Sequence, residues 1–403
     1  MAAALEAENG GIEDILILER DLELGGILNQ CIHAGFGIHI FGEDLTGPEY
    51  AGKFIRRVNE KKIEYILNAT VLSLSKEKTV TVVSPKTGIC EIKAKAVILA
   101  MGCRERTRGA LNIPGTRPAG IMNAGTAQRF INIEGYMPGR EAVILGSGDI
   151  GLIMARRMTL EGAKVKMVCE IMPYSNGLAR NIAQCLDDFD IPLKLSHTVV
   201  DIKGKNRLES VVTAKVDENF KPVEGTQETV LCDTLLLSVG LIPENELTAE
   251  AGIFIDNKTS GAFVDESMMT SAEGIFACGN VLHVHDLVDF VTEEGYRAGR
   301  AAAEYIKNNI KNSGEICETE PGNGVRYVVP QKVNIKNLKT GDKFFFRVDN
   351  IYRNCKIILK AGENIIYSRK IIKAAPSEME SIEIDGKILD GLKNEKKITV
   401  CLE

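Results

Sequence analysis

The chain has 403 residues, of which 44% are hydrophobic and 26% are charged, and its formal net charge is -6 at pH 7. This length accommodates two or three domains with separate cores, and the acidic balance argues against nucleic acid as a main partner. No apolar run reaches the roughly 18–20 residues that a membrane-spanning helix needs, and the first residues lack the basic segment of a secretory signal.

Short apolar strands alternate with helical segments through residues 1–311, which is typical of an α/β fold with a parallel sheet. The predicted strands are residues 15–18, 96–100, 142–145, 165–168 and 234–239. Helices are predicted at residues 2–7, 124–132, 150–161 and 293–311. Beyond a composition shift at residues 312–314, alternating apolar and polar residues predict a small all-β module, with strands at 343–348, 355–360 and 365–372 and a solvated turn at 387–397.

The ten cysteines are scattered singly, and no two of them form a C-x-x-C pair. This spacing excludes a zinc ribbon and a thioredoxin-like redox motif. It also indicates a reducing compartment, so we predict a soluble, cytoplasmic protein.

The strongest motif is a glycine-rich loop between a predicted strand and a predicted helix. Gly146 permits a tight turn, Gly148 lets the backbone approach a pyrophosphate, and Gly151 lets the helix and strand pack closely. The pyrophosphate would then meet the N–H groups and the positive end of the helix dipole. The residues predicted to hold this cofactor are Gly146, Gly148, Asp149, Ile150 and Gly151.

Two predicted strands end in a carboxylate. Glu170 ends the strand that follows the glycine-loop helix, where it would accept hydrogen bonds from an adenosine ribose and repel a 2′-phosphate, so NADH is expected over NADPH. Glu19 ends the strand at residues 15–18 in the same way, which indicates the second half of another dinucleotide-binding unit. The first strand and glycine loop of that unit would precede Met1, so we expect the sequence to be truncated at its N-terminus, unless the flavin site has been lost.

Three further strands end in turns of small residues. These turns contain Ala100 and Gly102, Gly240, and Gly279 followed by Asn280. Together with Glu19, Glu170 and the glycine loop, they resemble the pyridine nucleotide-disulfide oxidoreductase superfamily. The resemblance covers about residues 1–311.

This resemblance implies an α/β fold with two interleaved Rossmann-like domains. An FAD-binding domain would comprise residues 1–112 and 241–311, and an NAD-binding domain would comprise residues 113–240. The small all-β module would be residues 312–403. Segments 25–33, 102–120 and 283–289 further resemble flavin subunits of bacterial amine and amino-acid dehydrogenases and oxidoreductases that accompany glycerol 3-phosphate oxidation.

Carried over by position, the resemblance places Glu19 and Arg20 at the FAD adenosine and Val71 at the adenine. It implies further FAD contacts at Gly25, Gly26, Ala100, Gly102, Gly279 and Asn280. Most of the superfamily has an aspartate where this chain has Asn280, and an amide can also bond the ribityl chain. The predicted NAD contacts are Gly146, Gly148, Asp149, Ile150, Gly151 and Glu170, and Gly240 is a further cofactor-binding position.

Two residues are candidate catalytic groups. Disulfide-reducing members place paired cysteines beside the flavin, whereas this chain has only Cys31 there, which could act as a sulfenate or mixed-disulfide centre or be an inert buried thiol. His283 and His285 would project to one face of a strand, but without a third ligand motif we predict no metal site. His285 is instead expected to form hydrogen bonds beside the flavin. Glu294 is interpreted as part of a first-turn charge pair on a helix.

The preferred hypothesis is an FAD-dependent oxidoreductase that transfers hydride between NADH and FAD. Its partner would be a small-molecule substrate (an amine, amino acid or polyol phosphate) or an electron-carrier protein, in a homo- or hetero-oligomer. The C-terminal module would be a docking surface. The alternatives are a non-catalytic NAD-binding subunit with a decayed flavin site and a single-cysteine peroxide or disulfide reductase.

Overall fold

The computed structural model describes residues 1–308, 316–393 and 395–403. The chain divides into two compact units that alternate along the sequence. The first unit comprises Met1–Asn29, Ala34–Cys103 and Pro243–Glu403, and the second comprises Gln30–His33 and Arg104–Ile242. The composition shift at residues 312–314 and the end of the helix predicted at 293–311 lie outside the described residues.

Helices and strands are numbered in chain order among the described residues. The helices are α1 Ala2–Asn9, α2 Gly47–Glu60, α3 Arg108–Leu111, α4 Ala124–Asn132, α5 Asp149–Leu160, α6 Ala179–Cys185, α7 Glu246–Glu250, α8 Val288–Asn308 and α9 Gly386–Leu392. Strands in the first part of the chain are β1 Leu16–Leu18, β2 Ala34–Phe36, β3 Leu45–Thr46, β4 Glu64–Ile66, β5 Thr70–Leu74, β6 Thr79–Ser84, β7 Gly88–Lys93, β8 Val97–Leu99, β9 Cys103–Glu105, β10 Ile121–Asn123, β11 Glu141–Leu145, β12 Lys164–Glu170 and β13 Leu193–Leu195. The remaining strands are β14 His197–Gly204, β15 Leu208–Lys215, β16 Glu228–Leu231, β17 Thr234–Leu237, β18 Leu241–Pro243, β19 Ile275–Ala277, β20 Ile316–Pro321, β21 Val325–Val329, β22 Lys332–Asn334, β23 Lys343–Val348, β24 Tyr352–Ala361, β25 Asn364–Ala374, β26 Glu380–Glu383 and β27 Lys397–Leu402.

The second unit is built on a parallel sheet of five strands in the order β10-β17-β11-β12-β13. β11 and β17 are nearly continuous apolar runs because both faces of a parallel sheet are covered. From β11 the chain crosses through α5 to β12 on one side, whereas β17 flanks it on the other. The chain order therefore reverses at β11, which is where open α/β sheets bind ligands.

The first unit contains two parallel strand pairs, β1 with β4 and β8 with β19, and an antiparallel sheet β5-β6-β7. α8 packs against α1 along small residues. A Cβ on Gly299 would meet the carbonyl oxygen of Ala3, and one on Gly295 would lie 3.2 Å from Ala2 Cβ. Glycine at these positions thus allows the two helices to approach closely.

The C-terminal residues of the first unit form two small sheets, β22-β20-β27-β24-β25 and β21-β23-β26, over their own apolar core. The strand-rich module is confirmed, but the solvated turn predicted at residues 387–397 is wrong in part, because α9 occupies its first residues. Asp385 caps this helix by accepting from Ile388 N at 2.8 Å, and Ile388 and Leu392 are buried. The apolar pattern of this helix is short and lies between lysines, so the sequence alone did not indicate a helix here.

The predicted α/β fold is confirmed, since each strand and helix predicted before residue 312 has a counterpart. The largest shift is at α8, which begins at Val288 and not at residue 293, because Asp289 and Thr292 are already buried. No helix among the described residues is both long and apolar enough to cross a membrane.

Candidate functional site

The glycine loop of the second unit connects the carboxyl end of β11 to the N-terminus of α5. Gly146 has a φ of 94°, and a Cβ there would meet the carbonyl oxygen of Ser238. A Cβ on Gly151 would lie 2.6 Å from Ser238 Cβ, so this glycine is also required by packing. Gly148 has a φ of -63°, which any residue can adopt. A Cβ there would lie 3.1 Å from Ser238 Oγ, a looser contact than at Gly146 or Gly151.

The N-cap residue of α5 is Gly148, which has no side chain of its own to cap the helix. Ser238 Oγ accepts from Gly151 N at 3.0 Å and thereby holds the loop against the end of β17. The first N–H groups of a helix are free to bond an anion. The residues present therefore fit a pyrophosphate in front of α5.

Glu170 lies at the end of β12, beside the glycine loop, and is 3% exposed. Its Oε2 accepts from Ser147 N at 2.9 Å and from Ser147 Oγ at 2.6 Å, and its Oε1 accepts from Met172 N at 2.9 Å. A carboxylate offers about four acceptor positions, so a ribose hydroxyl would share this group with the loop. The ribose role of Glu170 stays a prediction.

Asp149, at the start of α5, forms hydrogen bonds with the segment at residues 178–181. Its Oδ1 accepts from Leu178 N at 2.8 Å and from Asn181 Nδ2 at 2.6 Å, while Asn176 N donates to Ser147 Oγ at 2.9 Å. Asp149 thus has a structural task, and its direct contact with a cofactor stays a prediction.

Ile150 and Gly240, the two other candidate cofactor-binding residues of the second unit, differ in their surroundings. Ile150 packs against the core of the second unit. Gly240 has a φ of 102°, and a Cβ there would meet nothing within 4 Å, so the backbone conformation and not crowding requires glycine. Their cofactor contacts stay predictions.

On the flavin side, in the first unit, β8 and β19 are parallel neighbours. Their carboxyl ends lead into the turns that contain Ala100 and Gly102, and Gly279 and Asn280, which the structure therefore brings to one sheet edge. Gly102 has a φ of 75° and open space at its Cβ position. The Asn280 side chain accepts from His285 N at 3.0 Å and donates to Cys103 Sγ at 3.6 Å.

The remaining residues assigned to FAD lie around β1 and β5 of the same unit. Glu19 directly follows β1, and its carboxylate accepts from Asp21 N at 2.9 Å. Gly25 and Gly26 have φ values of 125° and 58°, and a Cβ on Gly26 would meet nothing within 4 Å. Arg20 is exposed and Val71 is half-buried on β5. The exposed Arg20, the open Gly26 and the accessible Glu19 carboxylate fit the adenosine diphosphate part of FAD.

Cys31 belongs to the second unit, where its Sγ lies 3.9 Å from Gln128 Oε1. Burial raises the pKa of the Cys31 thiol to about 12. Since the thiolate is the nucleophilic form, the thiol is protonated and unreactive near neutral pH. These surroundings favour the inert alternative, and the catalytic role of Cys31 stays a prediction for direct test.

His283 and His285 lie in the loop between β19 and α8, in the first unit. Their side chains are 1% and 0% exposed, and both Nε2 atoms lie close to Glu294 Oε1, at 2.7 and 3.1 Å. Burial lowers the pKa of His283, so its ring is neutral at neutral pH. A direct catalytic role for His285 stays a prediction, but its ring belongs to a buried cluster.

The sequence analysis missed Glu294 as a partner of these histidines. Glu294 was interpreted as part of a first-turn charge pair, whereas its side chain is 1% exposed and accepts from Gly279 N at 2.7 Å. The signal was its place in the buried stripe of α8, which continues at Ala298 and Ala302. Ser147 and Ser238 were also missed, because their partners are distant in sequence.

Comparison with known proteins supports this arrangement. The profile of the pyridine nucleotide-disulphide oxidoreductase family matches residues 1–304. The chain is 23% identical to the HcnB subunit of hydrogen cyanide synthase from Pseudomonas protegens, covering 75% of this chain and 65% of that protein. It is 25% identical to one of the opine oxidase subunits of Rhizobium meliloti, covering 70% of this chain and 56% of that protein. The chain thus spans less than two thirds of the length of these relatives.

A solved thioredoxin reductase from Lactococcus lactis shares the fold, with a TM-score of 0.62 and 20% identity, covering 76% of this chain and 95% of that one. The strand-rich module follows the segment that the family profile matches. Because this profile covers most of the sequence, the chain belongs to the pyridine nucleotide-disulphide oxidoreductase family, whose members are FAD- and NAD(P)-dependent oxidoreductases.

Proposed function

We propose that this chain is the flavin- and NADH-binding subunit of an oxidoreductase that moves a hydride between NADH and FAD. The observation that carries the proposal is the glycine loop at a parallel-sheet switch point, followed by a helix whose N-cap residue, Gly148, has no side chain in the way of a phosphate. The flavin-side turns on β8 and β19 supply the second part of the argument.

In the second unit, the N-terminus of α5 would hold the pyrophosphate of NADH by its N–H groups. Ser238 orients this end of the helix through Gly151 N. Glu170 would accept a ribose hydroxyl at the acceptor position that Ser147 and Met172 leave. Its negative charge disfavours a 2′-phosphate, so NADH is the expected nucleotide.

In the first unit, Glu19 would bond the adenosine ribose of FAD, and Asn280 the ribityl chain. The open Cβ positions of Gly26 and Gly102 leave room for the cofactor to approach the backbone. FAD, when bound, supplies the chemistry that converts a hydride transfer into electron transfer to another acceptor.

The second substrate belongs to a partner in this proposal. HcnB and the opine oxidase relative are subunits by name, which supports a subunit role for this chain in a hetero-oligomer. The partner would present an amine, amino acid, polyol phosphate or electron carrier, with the strand-rich module as the docking surface. The free cysteines agree with the proposed cytoplasmic location.

The visible spectrum of the purified full chain tests this function. We expect flavin bands that bleach when NADH is added without oxygen. A colourless protein that cannot be loaded with FAD but still binds NADH would support the non-catalytic alternative and overturn the proposal.

Gly148→Ala tests the nucleotide site separately from folding. Its φ of -63° suits alanine, but the added methyl group lies where the pyrophosphate must approach. We expect the Kd for NADH to rise roughly tenfold or more, about 1.4 kcal/mol, with at most a small fall in melting temperature, since Ser238 Oγ must move slightly to accept the methyl group. Gly109→Ala on α3 is the matched control, because its Cβ would meet only Thr107 Oγ1 at 3.8 Å. Equal NADH affinity in both variants would contradict the assigned loop.

A further inference from the structure

Three buried side chains outside the nucleotide loops converge in the first unit. His283 Nε2 lies 2.7 Å and His285 Nε2 lies 3.1 Å from the same atom, Glu294 Oε1. The three potential ligand atoms lie within 4.8 Å of one another. Two ligands of one zinc ion, each at about 2.1 Å, stand about 3–3.4 Å apart. The 3.1 Å separation matches that spacing, whereas the 2.7 Å hydrogen bond between His283 Nε2 and Glu294 Oε1 would have to lengthen by a few tenths of an ångström or more to admit the ion.

Hydrogen bonding within the described residues does not satisfy this cluster. His283 Nε2 bonds Glu294 Oε1, but His285 Nε2 has no partner of acceptable geometry although the same oxygen is 3.1 Å away. Its Nδ1 is also without a partner among the described residues. A buried polar atom without a partner is costly, and buried carboxylates are paired or coordinate metals. One cation shared by three atoms would satisfy both the carboxylate and the unpaired imidazole nitrogen.

The surrounding contacts hold the three side chains in place. Gly279 N donates to Glu294 Oε2 at 2.7 Å, which fixes the carboxylate while Oε1 faces the histidines. Such contacts to the outer atom of a ligand orient metal sites. The loop that carries the histidines is held by Arg347, whose guanidinium bonds Asp286 and donates to Val284 O at 3.0 Å.

Aromatic rings enclose the cluster. Phe345 lies edge-on to His285 with ring centroids 5.5 Å apart, and Tyr327 lies edge-on to His283 at 5.9 Å. Both rings belong to the strand-rich module. Each ligand side chain is at most 1% exposed, so an ion here would be structural and not a centre open to substrate.

We propose that His283 Nε2, His285 Nε2 and Glu294 Oε1 bind one divalent first-row transition-metal ion, with zinc the best match. Two imidazoles and a carboxylate suit zinc and its neighbours better than magnesium or calcium, which prefer oxygen ligands. Water would complete the coordination. The ion would fasten the loop that contains Asn280 to α8 and is separate from the proposed hydride transfer.

Metal uptake by the full chain tests this site. Protein stripped with a chelator is loaded with Zn²⁺ or Co²⁺ and freed of excess metal. We expect about one ion per chain by elemental analysis, visible ligand-field bands for Co²⁺, and a higher melting temperature in the loaded form. X-ray absorption of the zinc form should show imidazole scattering. Wild-type protein that retains no metal after loading would overturn the proposal.

Glu294→Gln is the diagnostic variant because it preserves the side-chain volume but removes the charge. We expect a loss of metal affinity of about 100-fold or more, since losing even an outer partner of a ligand typically costs about 10–100-fold. Glu293→Gln is the matched control, because Glu293 is adjacent to Glu294 in the sequence but pairs with Lys343 at 2.6 Å, outside the cluster. Equal metal retention in the two variants would contradict the site. If Glu294→Gln does not fold, the wild-type stoichiometry and X-ray absorption decide the question.

Discussion

The two strand-end carboxylates of this chain have different surroundings. Glu170, in the second unit, is 3% exposed and accepts from Ser147 and from Met172 N. Glu19, in the first unit, is half-buried, and its carboxylate accepts from Asp21 N at 2.9 Å. The same sequence pattern, an apolar strand ending in glutamate, thus gives an enclosed carboxylate in one unit and an accessible one in the other.

This difference separates two roles of a strand-end glutamate, ribose binding and stabilisation of its own loop, which the sequence pattern does not distinguish. An accessible carboxylate can serve a ribose without affecting the fold, whereas an enclosed one also holds its own loop together. Removing the charge of Glu170 should therefore affect stability and binding together, but removing that of Glu19 should affect mainly binding. The following predictions test this contrast between the two carboxylates and whether the protection of Glu170 extends to Cys31 in the same unit.

The largest expected effect concerns the thiol of Cys31 in the second unit. Burial raises its pKa from 9.0 to about 12, so the thiolate fraction near neutral pH falls about a thousandfold. We expect iodoacetamide to modify Cys31 correspondingly slowly, with a rate that rises about tenfold per pH unit until the pH approaches this pKa. Mass spectrometry of the labelled peptide measures the rate.

Cys31→Ser complements the labelling experiment. If the thiol is inert, NADH-dependent turnover of this variant equals that of the wild type. Rapid labelling at neutral pH together with lost turnover would instead establish the single-cysteine reductase and show that this part of the second unit is open.

The next effect compares Glu170→Gln with Glu19→Gln. The amide keeps one accepting oxygen, so it can accept from Ser147 or from Met172 N but not from both, and its NH2 group faces the other donor; we expect Glu170→Gln to lower the free energy of unfolding by about 2–3 kcal/mol. For Glu19→Gln we expect roughly 0.5 kcal/mol or less. Urea unfolding of both variants measures the difference. Equal losses of unfolding free energy would show that the two carboxylates contribute equally to stability and would contradict the contrast between them.

The preference for NADH over NADPH is a second property in which Glu170→Gln and Glu19→Gln should differ. Glu170→Gln should narrow the preference for NADH over NADPH, since the repulsion of the 2′-phosphate is lost. Glu19→Gln, on the flavin side, should leave that preference unchanged. A wild-type protein that binds both nucleotides equally would refute the selective role of Glu170.

The smallest effect is expected for Ser147→Ala. This variant removes the hydroxyl that donates to Glu170 and accepts from Asn176 N, but it keeps the backbone bond from residue 147. We expect a stability loss of about 1 kcal/mol and a small rise in the Kd for NADH. An unfolding free energy equal to that of the wild type would show that the hydroxyl is dispensable to the enclosed loop.

Much of the fold was predictable because apolar strands and glycine turns are local signals. The strands that end at Leu145 and Leu237 are almost wholly apolar, and each leads into a glycine turn within a few residues. α9 was not predictable in this way, since its short apolar face lies between lysines and becomes evident only where Ile388 and Leu392 are buried. Likewise, the role of Glu294 depends on histidines brought to it by a loop.

The sequence by itself determined the order of the strands, the glycine loop and the strand-end carboxylates, because each depends on backbone geometry and hydrophobic burial over a few neighbouring residues. Only the tertiary structure decided which carboxylate is enclosed, that burial raises the pKa of Cys31, and that His283, His285 and Glu294 form one cluster. These properties depend on desolvation and on partners distant along the chain, which no local pattern encodes.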